Sequence, residues 1–357
     1  MQNGMDHRKK NIIYSAVLIV AMVAVWAYRR YSAPPDAEVV KVEGEQVELT
    51  GRTMGTTYSI KYIEEDGQNF QFQIDSLLEV FNLSLSTYIP ESEISRFNRE
   101  ALLKFESPFF YPVLKRSKEI FEKTEGAFDP TIGPLVNAWG FGPEEGRVPS
   151  KAKVDSLLQL VNYDSIFFDS VAVCKMVKGM KLDFSAIAKG YGVDVVADYL
   201  MDRGIENLFV EIGGEVYAHG LSERGVPWVV GVNYPTLDPE QQQSALAIIP
   251  LVNQAIATSG NYRNYYEVDG VRYSHTISPV TGYPVRHSLL SASVFAEDCM
   301  TADAYATAFM VLGTEKAIEI DREEEDIEVY LIYNDEKGAL QTYASPEVEE
   351  KIKVVGE

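Results

Sequence analysis

Apolar positions recur along this chain with two periods, and the periods sort most of it into elements. "TTYSIKYI" (56–63) alternates apolar with polar and predicts a strand. Ile74, Leu77, Leu78 and Phe81 recur at helical spacing. Val113, Leu114, Ile120 and Phe121 mark a second helix closed by Gly126, and Val154, Leu157, Leu158 and Val161 a third. "SIFFD", "VAVCKMV" and "MKLDF" then read as strands. Ile187, Tyr191, Val195 and Tyr199 step by four into a helix that ends near Gly204. "NLFVEI", "WVVGVN", "ALAIIPL" and "QAIATSG" follow as strands. "CMTADAYATAFMVLG" (299–313) is apolar nearly all round, as a buried helix is. Another helix covers Glu315–Ile320, the acid run 321–328 reads as a solvated loop, and "EVYLIYND" and "ALQTYAS" close as a strand pair. Runs of strands between long helices, without strict alternation, predict an α+β class. Residues 47–347 read as one mixed domain rich in antiparallel sheet, followed by a C-terminal tail, 348–357.

The amino end has a different pattern. Residues 12–28 carry no charge, have basic residues on both sides, and end near Trp26 and Tyr28, where an interfacial belt falls. Seventeen residues span roughly 25 Å, slightly short of a ~30 Å hydrocarbon core, and flanking arginines can snorkel to close the gap. The rival reading is a cleaved signal peptide, but Pro34-Pro35 makes a poor cleavage context and no nearby cysteine can take a lipid. The expected layout is a cytoplasmic tail (1–10), a transmembrane anchor (11–30) and a polar linker (31–46). A short tail before a single span stays inside, which places the domain on the periplasmic side of a bacterial inner membrane.

Charge changes the choice of partners. The chain carries −21 over 357 residues, and five basic residues against Asp6 leave +4 within 1–30. The remaining −25 repels nucleic acid at long range, so no nucleic-acid partner is expected. An anionic small ligand needs local help from a metal, a lysine or a helix N-terminus. Cys174 and Cys299 lack metal-ligand spacing and read as buried thiols.

Candidate chemistry lies where polar residues interrupt apolar runs. Asp303 and Thr307 share one face of the 299–313 helix, four residues apart. A buried carboxylate needs a partner, and a hard divalent cation with Thr307 as a neutral oxygen ligand is one. A helix-dipole role for Asp303 and a back-bond from Thr307 to a carbonyl is the other. In "KLDFSAIAKGYGVD" (181–194) a strand ends at Asp183, Ser185 can cap a helix, and Lys189 falls in its first turn. That is either a phosphate site or a capped helix with a solvated lysine. "EGAFDPTIGPLVNAWGFG" (125–142) sets Phe128, Trp139 and Phe141 among turn formers, as a stacking wall for a ring system or a self-packed loop. His275, at a strand end in "YSHTISPVTGYPV", is a base candidate or a structural histidine. His219 and His287 read as surface residues.

Taken in order, "TMGTTYSI", "STYIPESEISRFN", "GAFDPTIGPLVNAWGFG", "LDFSAIAKGYGVD", "VEIGGEVYAHG", "AIATSGNY", "SHTISPVTGYPV" and "MTADAYATAFMVLG" resemble the blocks of the ApbE family. Its members are Mg²⁺-dependent FAD:protein FMN transferases of the bacterial cell envelope, and the match covers roughly residues 50–315. The resemblance implies that Asp303, Thr307 and the Ala186 carbonyl hold Mg²⁺. It implies FAD contacts at Met54, Tyr88, Ala127, Phe128, Asp129, Asp183, Lys189, His275 and Ile277. Gly213, Gly214, Thr258, Ser259 and Gly260 fall at close-approach backbone positions.

It further implies transfer of FMN from FAD to a Thr or Ser hydroxyl of an envelope acceptor protein, with release of AMP. His275 is the first candidate base and Asp183 the second. The rivals are a pyrophosphatase that uses the same ligands and gives FMN and AMP, a non-catalytic FAD-binding envelope protein, and a structural envelope protein with no ligand. One departure is the tether, since many members carry a lipid-modified cysteine and this chain a hydrophobic segment.

Overall fold

Eight antiparallel strands carry the architecture of this computed structural model, in the order β1-β2-β6-β7-β10-β13-β14-β15. It describes residues 41–143, 148–235, 245–260, 265–268 and 271–355. The expected tail, anchor and most of the linker lie outside the described residues. Among those described, no helix is long and apolar enough to cross a membrane.

The strands are β1 (Glu45–Thr53), β2 (Thr56–Glu64), β3 (Leu102–Lys104), β4 (Ile166–Phe168), β5 (Ala172–Lys175), β6 (Leu208–Ile212), β7 (Glu215–His219) and β8 (Trp228–Asn233). They continue with β9 (Ala245–Leu251), β10 (Gln254–Gly260), β11 (Tyr265–Val268), β12 (Val271–Ser274), β13 (Leu289–Ala296), β14 (Ile327–Asn334), β15 (Leu340–Ala344) and β16 (Lys353–Val354). The helices are α1 (Gln71–Leu85), α2 (Glu93–Arg99), α3 (Phe110–Lys123), α4 (Gly133–Ala138), α5 (Lys151–Leu158), α6 (Ala188–Met201), α7 (Cys299–Leu312), α8 (Thr314–Glu323) and α9 (Pro346–Lys351). Smaller sheets form from β3-β5-β4 and β8-β9-β16, and β11 pairs β12. Val42–Glu223 and Pro227–Glu357 make one compact unit. This is the expected α+β class with antiparallel sheet.

The large sheet is buried on both faces, and the period of two assigns each residue a side. Ala255 and Ala257 of β10, Ala292 and Val294 of β13, and Val329 and Leu331 of β14 face the helices. Ile256, Phe295, Tyr330 and Ile332 face the small sheet, with Trp228, Ile249 and Val348. Small side chains on the helix face let α7 lie close against β10 and β13, while its other side meets α6. That double contact explains why α7 is apolar all round: ten of its fourteen residues are buried. Asp298 starts α7 as an N-cap, accepting from Thr301 N at 2.8 Å. Gly313, at φ 85°, ends it.

Two tight hairpins bring strand ends toward the start of α6. β1 and β2 are joined by Met54 and Gly55, at φ 48° and 74°. β6 and β7 are joined by Gly213 and Gly214, at φ 65° and 106°. Two successive positive φ values suit the right-handed strand twist and favour glycine, which fills three of the four positions; Met54 takes the fourth in the left-handed region.

Several local readings are corrected. "MKLDF" is not a strand; only Lys181 makes an isolated bridge, to Ile132. The acid run is not a solvated loop: residues 321–323 finish α8 and Ile327 begins β14. Asp321 there accepts from Tyr343 Oη at 2.8 Å and Ser345 Oγ at 2.6 Å. Beyond residue 347 the chain continues through α9, whose Val348 is 1% exposed, into β16, which pairs β9. Cys299 is buried as expected, whereas Cys174 is half-buried. His287 is half-buried, with Nε2 2.8 Å from the Met310 carbonyl, and His219 is likewise half-buried in β7.

Candidate functional site

The starts of α6 and α7 meet at one point, and the charged residues of interest gather there. A Cβ on Gly190 would lie 2.1 Å from the Cys299 carbonyl oxygen, so only glycine allows this approach. The contact puts Gly190 N–H within 3.0 Å of Asp303 Oδ2, to which it donates. Gly190 N–H is one of the helix-start donors that have no intrahelical acceptor, and Asp303 of the neighbouring helix serves it. Asp194, one turn further along α6, does the reverse. Its Oδ1 accepts from Cys299 N at 2.7 Å and its Oδ2 from Met300 N at 2.8 Å.

Asp303 is only 2% exposed and is not alone. Lys189 Nζ lies 4.0 Å from its Oδ1 and hydrogen-bonds Glu215 Oε1 at the start of β7. Glu215 is 4% exposed, and its second oxygen, Oε2, is buried with no partner among the described residues. Burial by itself lowers the Lys189 ammonium, but Asp303 and Glu215 outweigh it and hold it above the ordinary lysine range. Burial raises the Glu215 carboxyl; Lys189 opposes that rise and Asp303 adds to it. One ammonium thus serves two acids, a formal surplus of one negative charge in a buried place.

Neutral oxygens complete the setting. Thr307 Oγ1 is 3.3 Å from Ser259 Oγ of β10, so this hydroxyl meets the sheet. Thr258 lies on the opposite face, its Oγ1 2.8 Å from Ser293 Oγ. Ser185 is not the cap of α6: Ile187 is the N-cap residue, with no side-chain cap. Ser185 N instead donates to Asp183 Oδ1 at 2.8 Å, a local Asx turn. Ile187 N and Ala188 N both donate to the Phe184 carbonyl, at 3.0 and 2.8 Å. Among the described residues no N–H donates to the Ala186 carbonyl. No cluster of three or more His, Cys, Asp or Glu side chains arranged to hold a metal occurs among the described residues. A cation at Asp303 therefore relies on neutral oxygens beside one carboxylate. The unused Ala186 carbonyl, the Thr307 hydroxyl and the surplus negative charge beside Asp303 fit a small hard cation.

A second group of the expected residues sits around Asp183. Asp183 is 8% exposed, and its N–H donates to the Pro130 carbonyl at 2.7 Å, tying it to the 125–142 segment. The Tyr88 phenol is raised, first by partial burial and then by the charge of Asp183, and its Oη lies 3.4 Å from the Phe141 carbonyl. Phe141 meets His275 edge to face at 6.4 Å. A cleft of about 270 Å³ opens beside Asp183, lined by Ser95, Asn98, Arg99 and Asn137 among others. A larger one of about 540 Å³, between Arg116, Glu119, Asp298 and Tyr305, holds none of the expected residues.

The 125–142 segment packs on its neighbours rather than on itself alone: Phe128 joins the main core, and Leu135 and Trp139 pack on Val154 and Ile277. Ala127 and Phe128 are 3% exposed and Asp129 is 7% exposed. Trp139 is buried with Leu135, Val154 and Ile277, and its Nε1 donates to the Gly282 carbonyl at 2.9 Å. That bond ties the segment to the turn that follows His275 and Ile277. Met54, on the β1–β2 turn, lies over Gly192 of α6, where a Cβ would come 2.4 Å from its methyl carbon. Met54 and the Gly213–Gly214 turn thus border α6, and a Cβ on Gly213 would fall 3.4 Å from Lys189 Cδ.

Glu215 and Asp194 escaped sequence reasoning. They lie in "VEIGGEVYAHG" and "LDFSAIAKGYGVD" respectively, where the signal is an acid at an inward position of a strand or helix.

Fold and site together define a mixed α+β protein with a buried acid–ammonium–acid group at the meeting of two helix starts. A family model described as the ApbE family matches residues 54–331, and the chain belongs to that family. It is 44% identical over 312 residues to the FAD:protein FMN transferase of Vibrio cholerae serotype O1, covering 84% of this chain and 91% of that one. It is 38% identical over 317 residues to the protein of the same name from Haemophilus influenzae, covering 85% and 91%. The solved structure of the flavin transferase ApbE from Vibrio cholerae superposes with a TM-score of 0.77 at 41% identity, over 86% of this chain and 99% of that one. The apo flavinyl transferase ApbE of Pseudomonas stutzeri does so with a TM-score of 0.77 at 33% identity, over 87% and 98%.

Proposed function

We propose that this protein is a Mg²⁺-dependent FAD:protein FMN transferase that esterifies FMN onto a Thr or Ser hydroxyl of an envelope acceptor protein and releases AMP. The relatives that carry this name match over nearly the whole described chain, which supports a transferase that takes FAD as substrate. The observation that carries the chemistry is Asp303, buried at the start of α6 with one oxygen bound to Gly190 N–H and the other facing Lys189.

Asp303, Thr307 and the Ala186 carbonyl would hold the magnesium ion. Bound there, it supplies positive charge to the pyrophosphate of FAD as the anhydride breaks. Lys189 adds a second positive charge from the first turn of α6, whose N–H groups favour an anion. Met54, Tyr88, Ala127, Phe128, Asp129, Asp183, His275 and Ile277 are the residues proposed to receive the rest of FAD. Ala127, Phe128 and Asp129 are too buried to offer much side chain, so their contribution is backbone. The acceptor hydroxyl oxygen bonds to the phosphorus of the FMN half. The anhydride P–O bond breaks, and its electron pair leaves with AMP. The hydroxyl proton passes to His275 or, in the second assignment, to Asp183.

The test is incubation of the purified protein with FAD and Mg²⁺, with and without a candidate envelope acceptor, read by in-gel flavin fluorescence and intact mass. Acceptor heavier by one FMN, with equimolar AMP, is the expected result. Free FMN and AMP released rapidly without acceptor would make the protein a pyrophosphatase instead. FAD binding with no product would make it a carrier.

We also propose that residues 11–30 anchor the protein in the inner membrane, with the domain on the periplasmic side. The support is the uncharged run 12–28 between basic flanks. Protease access to the domain in spheroplasts, but not in intact cells, is the expected outcome.

A further inference from the structure

Glu215 is used by nothing in the mechanism above, yet it is a buried acid at the centre of the site. It follows the Gly213–Gly214 turn directly and so enters at the first residue of β7. One of its oxygens takes the Lys189 ammonium and the other has no partner among the described residues. Across from it, Asp303 has one oxygen, Oδ2, committed to Gly190 N–H. The other, Oδ1, accepts no hydrogen bond among the described residues and has Lys189 Nζ 4.0 Å away. That separation lies beyond hydrogen-bond range, although the flexible lysine stem could close it.

We propose that Glu215 is a positioning residue for the cation site: it holds the Lys189 ammonium aside, so that Asp303 Oδ1 stays open to a divalent cation. This inference rests on the cation reading of Asp303 given under the proposed function.

The argument is one of competition for a single oxygen. An ammonium and a divalent cation both seek the lone pairs of Oδ1, and each excludes the other at contact distance. Glu215 is the nearer acid to Lys189 and is almost fully buried, so its attraction for the ammonium is little screened by water. Without that attraction Lys189 has one acid left, Asp303, and pairing with it closes the site. With it, the ammonium stays close enough to help neutralise a bound phosphate but not close enough to occupy the ligand. The positive-φ turn before Glu215 matters for the same reason, since it fixes where the carboxylate enters.

The test uses Mn²⁺ alone as the probe, with the full chain, by titration calorimetry and by the loss of the free Mn²⁺ electron-spin signal. Four proteins are compared: wild type, Glu215→Gln, Lys189→Met and the double variant. Glu215→Gln is expected to weaken Mn²⁺ binding at least tenfold, and Lys189→Met to leave it within threefold. With Lys189 removed, an isolated buried Glu215 takes up a proton, and glutamine is its neutral isostere. Glu215→Gln in the Lys189→Met background is therefore expected to change the affinity less than threefold. Equal loss in both backgrounds would overturn the proposal, because Glu215 would then act on the cation directly. So would an unchanged affinity in Glu215→Gln. If Glu215→Gln fails to fold, Glu215→Asp keeps the charge with a shorter reach and is expected to weaken binding in a Lys189-dependent way. A wild type that binds no Mn²⁺, matching Asp303→Ala, would refute the cation reading itself.

Discussion

Asp194 and Asp303 cap each other's helices. Asp194 of α6 accepts from Cys299 N and Met300 N at the start of α7, and Asp303 of α7 accepts from Gly190 N in the first turn of α6. Each acid meets the positive end of the neighbouring helix, where N–H groups lack intrahelical acceptors. The exchange fixes one helix start against the other and thereby fixes where Asp303 points.

Removing Asp194 should loosen that arrangement. Asp194→Ala leaves two helix-start N–H groups without acceptors, at a cost of about 2 kcal/mol. Asp194→Asn keeps one acceptor oxygen and should fall between alanine and wild type. Urea unfolding of the three proteins, followed by far-UV circular dichroism, gives the order directly. Equal midpoints would show that water replaces the carboxylate at no cost.

Gly190 is the hinge of the same contact. Gly190→Ala puts a methyl group 2.1 Å from the Cys299 carbonyl oxygen, and the helices must separate to admit it. Overpacking of this kind costs about 1–3 kcal/mol. A melting temperature lowered by several degrees is expected, together with weaker divalent-cation binding, because Asp303 would move with α7. A variant that melts with the wild type would refute the close approach.

Phosphoryl transfer depends more on charge stabilisation than on proton removal. Asp303→Ala should therefore lower kcat by at least about 100-fold, the scale of losing a principal charge-stabilising group. His275→Ala should cost less. Initial rates of FMN transfer at saturating FAD, with Mg²⁺ limiting, compare the two. Normal transfer by Asp303→Ala would remove this residue from the chemistry.

Stability should fall as the solution passes from pH 4 to pH 6. Burial pushes the Asp129 carboxyl up to about 6 from 3.8, although the hydroxyl and N–H of Thr131 both donate to it. A carboxyl raised on folding binds its proton more tightly in the native state. Its contribution is complete below about pH 4 and is lost as the pH rises through about 6. The total is on the order of 3 kcal/mol. Asp129→Asn should flatten this slope, as denaturant midpoints at pH 4, 5, 6 and 7 would show. Parallel slopes in the two proteins would assign the pH dependence to other groups.

Periodicity made many of the elements legible. Helices α1, α3, α6 and α7 and strands β2, β6, β8, β9, β10 and β14 were read where they occur, because each shows a clear face or alternation over several residues. The short β4 and β5 were read too, in "SIFFD" and "VAVCKMV", whereas the nine-residue β1 and the eight-residue β13 were not. α2, α4 and β7 show no clear face or alternation of their own, and the 180–184 segment crosses the interior with only the Lys181–Ile132 bridge. The acid run misled for a related reason: Asp321 is held by Tyr343 and Ser345, which are close only after β14 and β15 pair.

By itself the sequence determined the α+β class, the order of the family blocks and the residue types available to the site, including Asp303, Thr307 and Lys189. Those follow from local spacing and from motifs that each occupy a few consecutive residues. Only the tertiary structure decided that Glu215 shares Lys189 with Asp303, that Ser259 meets Thr307, and that Asp194 and Asp303 exchange caps. Such pairings join residues far apart in the chain, and they depend on how closely two helices approach across one glycine and on which face of a sheet each strand residue takes.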